Sequence, residues 1–144
     1  MSKNMDTIQD EIIADFSQFN DWFDAYEYLI KKGRSLEQFD ETLKSEATSI
    51  GSCQSNVWIY AEWENKGIHY SADSDSLLVK GLISLLFDVV NDHNPEDIIK
   101  TQLYFIEELQ LDTHLSPSRL TGLHSIIKKI KTYAKDYSVN HNDS

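Results

Sequence analysis

The chain has 144 residues, 24 Asp and Glu against 13 Lys and Arg, a formal net charge of −11 and one cysteine, Cys53. That length predicts one domain with a real hydrophobic core. A lone thiol excludes an internal disulfide, a C-x-x-C redox pair, a Cys-rich zinc site and a self-contained iron–sulfur cluster. A sequence pI near 4.7 means that the mean field repels phosphate backbones and anionic lipid, so neither nucleic acid nor membrane is an expected partner. The N-terminus runs into acids and amides with no basic region before an apolar stretch, which predicts a cytoplasmic protein. The most apolar run, Leu77 to Val90, is broken by Lys80 and Asp88 and is shorter than the ~20 residues a membrane-spanning helix needs.

In chain order, Ile8, Ile12, Ile13 and Phe16 fall at helical spacing, with Thr7 as cap and Asp10 three residues on. Asn20 is the expected cap of a second helix whose Trp22, Phe23, Tyr26, Leu29 and Ile30 share one face. Asp21 and Asp24 stand in its first turn, Lys31 and Lys32 in its last, and Gly33 suits a left-handed C′ position. Arg34 to Ser49 loses periodicity and reads as a connector with one helical turn around Glu41 to Glu46. Val57 to Glu64 is rich in β-branched and aromatic residues, and Asn65-Lys66-Gly67 supplies turn chemistry before Ile68 to Ala72, which predicts a β-hairpin.

Asp73-Ser74-Asp75-Ser76 offers several N-caps for a buried helix from Leu77 to Val90, and Gly81 inside it points to close backbone packing. Pro95 suits N1 of a short helix carrying Ile98 and Ile99, and Phe105, Ile106 and Leu109 suggest another. Ser116-Pro117 starts a long helix striped by Leu120, Leu123, Ile126, Ile127, Ile130 and Tyr133, expected to end near Lys135. The reading is a single α+β domain over residues 6–137, helices packed on one face of a small antiparallel sheet, followed by a polar, frayed tail over 138–144.

Cys53 is the leading candidate for chemistry. Gly51, Ser52, Gln54, Ser55 and Asn56 around it favour a loop rather than the apolar run in which an inert cysteine usually sits. Loops leading into rigid strands are where reactive groups are commonly presented. None of His69, His93, His114, His124 and His141 stands in a local thiol-protease signature, and of these His114 is the strongest functional candidate. Asp73 and Asp75 are better explained as helix caps than as metal or acid/base ligands. Lys128, Lys129, Lys131 and Lys135 read as a solvated face near a helix end. Arg119 lies in the first turn of a helix, where the macrodipole disfavours a cation, so it either helps build an anion site or pairs with an acid.

Three motifs, Cys53-Gln54-Ser55-Asn56-Val57-Trp58-Ile59, then Ala72-Asp73-Ser74-Asp75-Ser76 with Val79-Lys80-Gly81-Leu82-Ile83, then His114-Leu115-Ser116-Pro117-Ser118-Arg119 with Gly122-Leu123, closely resemble the cysteine desulfuration protein SufE family. Asp15-Phe16 and Trp22 to Tyr28 fit it as well. One departure is Ser52, where family members often have Gly before the cysteine. The resemblance implies a SufE/IscU-like fold and a sulfur acceptor. It takes persulfide sulfur from a pyridoxal-phosphate cysteine desulfurase of the SufS type onto Cys53 and delivers it to the SufBCD scaffold for iron–sulfur cluster assembly.

It further implies an accessory protein rather than a stand-alone enzyme, with no cofactor or metal of its own, since the pyridoxal phosphate belongs to the desulfurase. Gly51 and Gln54 would serve the cysteine loop, which in the family tucks its thiol into an apolar pocket when idle, and Arg119 and His114 would help position that loop or its anion. Whether the partner is of the SufS or CsdA type, and whether the chain is a homodimer, stay open. A small Cys-dependent hydrolase and a non-catalytic desulfurase activator are the alternatives.

Overall fold

Asn4 opens the first helix, α1 (Met5–Phe16), its side chain accepting from the Asp6 amide at 2.7 Å. The computed structural model describes residues 4–50, 55–64 and 67–141. After α1 come α2 (Trp22–Arg34), a 3-10 turn at Glu41–Leu43, and the strands β1 (Val57–Glu64) and β2 (Gly67–Ser74). Helices α3 (Leu77–Val90), α4 (Pro95–Lys100), α5 (Phe105–Glu108), α6 (Leu111–His114) and α7 (Pro117–His141) complete the order. The strands pair antiparallel from Val57 opposite Ser74 to Glu64 opposite Gly67, so the predicted hairpin and α+β class hold. Residues 65 and 66 of the expected turn lie outside the described residues.

Strand periodicity places Val57, Ile59 and Ala61 of β1 and Ile68, Tyr70 and Ala72 of β2 on the buried face. Helix α3, capped by Ser76, is the central element and buries ten of its 14 residues. Each large aliphatic side chain so buried contributes about 1.5–3 kcal/mol. Its contact with α2 depends on two glycines. A Cβ on Gly81 would collide with the Leu29 carbonyl, and one on Gly33 with the Leu77 carbonyl. The close packing expected at Gly81 is therefore present.

Helix α7 covers the hairpin through Leu123, Ile126, Ile130 and Ala134. Its Tyr133 and Tyr137 hydroxyls donate to the Ile59 and Ala61 carbonyls at 2.9 and 3.1 Å, and the Tyr70 hydroxyl donates back to the Ile130 carbonyl at 2.7 Å. Burial pushes the Tyr70 phenol well above its ordinary pKa. The outer edge of β1 is further engaged by the 48–50 segment, where Ile59 donates to the Thr48 carbonyl at 2.8 Å and Ile50 donates to the Val57 carbonyl at 2.9 Å. Backbone groups of a strand edge that would otherwise be open are thus paired.

Several local expectations are corrected. Asn4, not Thr7, caps α1, and Asp21, not Asn20, caps α2, accepting from the Asp24 amide at 3.1 Å. Gly33 is not a left-handed C′ residue, since no described glycine has positive φ and the helix continues to Arg34; the crossing with α3 requires the glycine instead. Leu111–His114 form a separate turn of helix after Gln110, whose φ of 58° is left-handed. Helix α7 runs past Lys135 and through the first residues of the expected frayed tail to His141. Lys129 and Lys131 are therefore mid-helix and not simply solvated. Lys129 donates to the Ala47 carbonyl, Lys131 to the Ile99 and Thr101 carbonyls, and burial, with Lys135 nearby, lowers the Lys131 pKa. No described helix is long and apolar enough to cross a membrane.

Candidate functional site

Cys53, Gly51 and Gln54 lie in residues 51–54, outside the described residues. The two ends of that segment are well defined. On one side the Ile50 amide donates to the Val57 carbonyl at 2.9 Å, and Ser49 bridges Trp58. The chain therefore leaves and rejoins the hairpin at nearly the same point. On the other side Asn56 is clamped by Asp75. The Asn56 amide and side-chain nitrogen donate to the two oxygens of the Asp75 carboxylate at 3.2 and 3.0 Å, and the Asp75 amide donates to the Asn56 carbonyl at 3.3 Å.

This corrects the reading of Asp73 and Asp75 as caps. Ser76 alone caps α3, accepting from the Val79 amide at 3.3 Å. Asp73 is an ion-pair hub, 2.9 Å from Lys44 Nζ and 3.5 Å from Lys80 Nζ. Lys44 also pairs with Glu41 at 2.9 Å and lies 4.4 Å from the centre of the Trp58 ring. Burial raises the Asp73 pKa, but the bonds from Lys44 and the Ser74 amide and the charges of Lys44 and Lys80 outweigh it, holding the carboxyl below its ordinary value. The network ties the connector before the cysteine segment to the end of β2.

Ser55, two residues after Cys53, opens onto a small cavity between α3 and α7. Val79, Leu82, Gly122, Leu123 and Ile126 make it largely apolar, and Ser118 and Arg119 stand at its polar side. Its volume of about 20 Å³ is room for roughly one water-sized group. Arg119 reaches it because Ser116 caps α7: the Ser116 side chain accepts from the Arg119 amide at 3.3 Å, and Pro117 follows as the first helical residue. Among the described residues no carboxylate forms an ion pair with Arg119, which lines the cavity.

The structure brings Arg119 to Ser55 but places His114 elsewhere. The His114 ring stacks on Trp22 at 4.0 Å between centroids, and its carbonyl accepts from the Tyr26 hydroxyl at 3.2 Å. Among the other histidines, His69 sits between Glu37 and Asp92, at 3.2 and 3.3 Å. Among the described residues no three His, Cys, Asp or Glu side chains come together in a group that could hold a metal ion. Two features escaped sequence reasoning. One is the Asp75–Asn56 clamp, which joins positions far apart in sequence, and the other is the contribution of Val79 and Leu82 to the cavity.

The described flanks of the segment that holds the chain's one cysteine are thus fixed, with Ser55 at an apolar cavity that Arg119 also lines. Residues 10–134 match the SufE family, described as an Fe-S metabolism associated domain. The chain is 38% identical over 125 residues, 85% of its length and 87% of the relative's, to the cysteine desulfuration protein SufE of Wigglesworthia glossinidia brevipalpis. The chain therefore belongs to the SufE family. The fold alone is also similar to the solution structure of a hypothetical protein from Thermus thermophilus, with a TM-score of 0.74 at 15% identity over 90% of this chain and 94% of that one.

Proposed function

We infer that this SufE-family chain accepts sulfur on Cys53 from the persulfide of a pyridoxal-phosphate cysteine desulfurase and carries it toward iron–sulfur cluster assembly on a SufBCD-type scaffold. The observation that supports this reading is membership of the SufE family in a chain whose one cysteine falls in sequence between the fastened residues Ile50 and Asn56, two residues before Ser55 of the Arg119 cavity. In the transfer, the Cys53 thiolate attacks the terminal sulfur of the donor persulfide. A new S–S bond forms on Cys53, the donor S–S bond breaks, and the donor cysteine leaves as a thiolate. A second cysteine in the chain would discharge the persulfide as a disulfide, so a single thiol suits a carrier.

An apolar cavity disfavours a thiolate and keeps a thiol held there unreactive, whereas Arg119 favours an anion at its mouth. Exposure of Cys53 on the desulfurase would then switch reactivity on. The pyridoxal phosphate is the desulfurase's, and the chain acts as an accessory protein without a cofactor of its own. Incubation with a cysteine desulfurase and L-cysteine is expected to add the mass of one sulfur atom to Cys53, and none to the Cys53→Ser variant. A stable acyl adduct on Cys53 would favour a hydrolase, and undiminished desulfurase stimulation by Cys53→Ser would favour a non-catalytic activator.

A further inference from the structure

The outer edge of β2 is paired along part of its length only. Ile68 exchanges hydrogen bonds with the 92–93 backbone, donating to the His93 carbonyl at 3.0 Å and accepting from the Asp92 amide at 2.8 Å. Two residues on, the Asn91 carboxamide does the same for Tyr70, its oxygen accepting from the Tyr70 amide at 2.7 Å and its nitrogen donating to the Tyr70 carbonyl at 3.4 Å. Ala72 is next in that period. It stands opposite Ile59, whose amide donates away from β2 to the Thr48 carbonyl, so the Ala72 N–H and C=O point outward from the hairpin. Among the described residues neither group has a hydrogen-bond partner, although Ala72 is 1% exposed. Buried backbone groups left in this state are rare.

The Ala72 edge lines a cavity of about 140 Å³ between the end of α2, β2 and α3, which shares no lining residue with the Ser55–Arg119 cavity. Ser84 of α3 lines it too and is 6% exposed. Among the described residues its hydroxyl makes no hydrogen bond, not even the one to the carbonyl a turn earlier that helical serines commonly make. Glu37 and Asp88 complete the polar lining. Both have counter-charges, Glu37 Oε2 lying 3.2 Å from His69 Nε2 and Asp88 Oδ2 2.7 Å from Lys32 Nζ. The second oxygen of each carboxylate takes no hydrogen bond among the described residues.

We propose that this cavity is a binding site for a small carboxamide that also carries a primary ammonium group. The carboxamide takes at Ala72 the place that Asn91 takes at Tyr70, its oxygen accepting from the Ala72 amide and its nitrogen donating to the Ala72 carbonyl. The ammonium, with three donors and no acceptor, goes to the remaining oxygens of Glu37 and Asp88, and the Ser84 hydroxyl serves either end. A cavity of about 150 Å³ accepts a six-carbon ring, so a ligand of about five or six heavy atoms fits. A free amino acid is disfavoured, because its carboxylate would face two like charges. The same ammonium and amide stand together at the amino terminus of an extended peptide. The site is independent of the sulfur-acceptor reading.

The test titrates glycinamide, glycine and triglycinamide at constant ionic strength into the isotope-labelled full-length chain, follows backbone amide shifts by NMR, and repeats the glycinamide titration with Ser84→Ala and Asp88→Asn. Circular dichroism checks folding; one hydroxyl and one exposed ion pair are dispensable to it. Saturable shifts at the Ala72 amide with a dissociation constant of about a millimolar are expected for glycinamide. Glycine should bind at least about tenfold more weakly, and each variant should weaken glycinamide about fivefold. Tighter binding of triglycinamide than of glycinamide would assign the site to a peptide's amino terminus, and weaker binding would assign it to a free small molecule. Non-saturating shifts, glycine bound as well as glycinamide, or saturable shifts that neither variant changes would overturn the proposal.

Discussion

Asp75 holds Asn56 by three hydrogen bonds, two onto its carboxylate and one from its own amide. Asn56 is the last residue before β1, and Asp75 follows the last residue of β2 and directly precedes the α3 cap. The clamp therefore ties the exit of the cysteine segment to the most buried helix of the domain. Asp75→Ala removes both carboxylate bonds and leaves only the backbone bond from the residue 75 amide to the Asn56 carbonyl at that end. A hydrogen bond of this kind is worth about 1 kcal/mol net. The variant is expected to stay folded with a slightly lower Tm and to show faster alkylation of Cys53 by iodoacetamide. An unchanged alkylation rate would remove Asp75 from the control of the segment.

What the sequence could reveal depended on how local the cause was. Ser116 and Pro117 marked the start of α7 because cap and N1 chemistry act within one turn, and the hairpin strands were legible from β-branched and aromatic alternation. The caps of α1 and α2 were misplaced because Asn4 and Thr7, and Asn20 and Asp21, offer the same chemistry a few residues apart. Gly33 was read as a helix stop, whereas it is needed by α3, an element more than 40 residues later. The end of α7 was missed because Tyr137 is held by the Ala61 carbonyl, a contact made only after folding. In the site, the motif pointed to Cys53 and Arg119, but not to the Asp75–Asn56 pairing, since a carboxylate before a helix looks like a cap in any sequence.

The helix crossing gives a stability prediction. Gly81→Ala would gain up to about 1 kcal/mol of helix propensity, but its Cβ meets the Leu29 carbonyl, a backbone atom that cannot swing away. Overpacking costs of about 1–3 kcal/mol are typical, and the helices must move apart. A net loss of about 1–2 kcal/mol in urea unfolding is expected. Gly33→Ala should cost a similar amount against the Leu77 carbonyl. The double variant is expected to lose less than the sum, because a Cβ on Gly33 also lies 3.0 Å from the Gly81 nitrogen and one separation relieves both contacts. Strict additivity would show that the glycines act independently.

His69 supplies a pH dependence whose sign follows from hydrogen-bond chemistry. Its two ring nitrogens face Glu37 and Asp92 at 3.2 and 3.3 Å. A neutral imidazole has only one N–H, so both bonds to ionised carboxylates need the imidazolium. Burial works against that charge, but the bonds to Glu37 and Asp92 and their negative charges outweigh it, and the pKa rises above its ordinary value. A histidine whose folded pKa is raised stabilises the fold fully below its unfolded pKa of about 6.5. The contribution is lost as the pH rises through the higher, folded value. The Tm advantage of wild type over His69→Gln is therefore expected to be largest at about pH 6 and to shrink toward about pH 8. The acids are partly exposed, so salt should reduce the advantage at the lower pH. A constant difference across that range would mean that His69 contributes by packing, with the two carboxylates as bystanders.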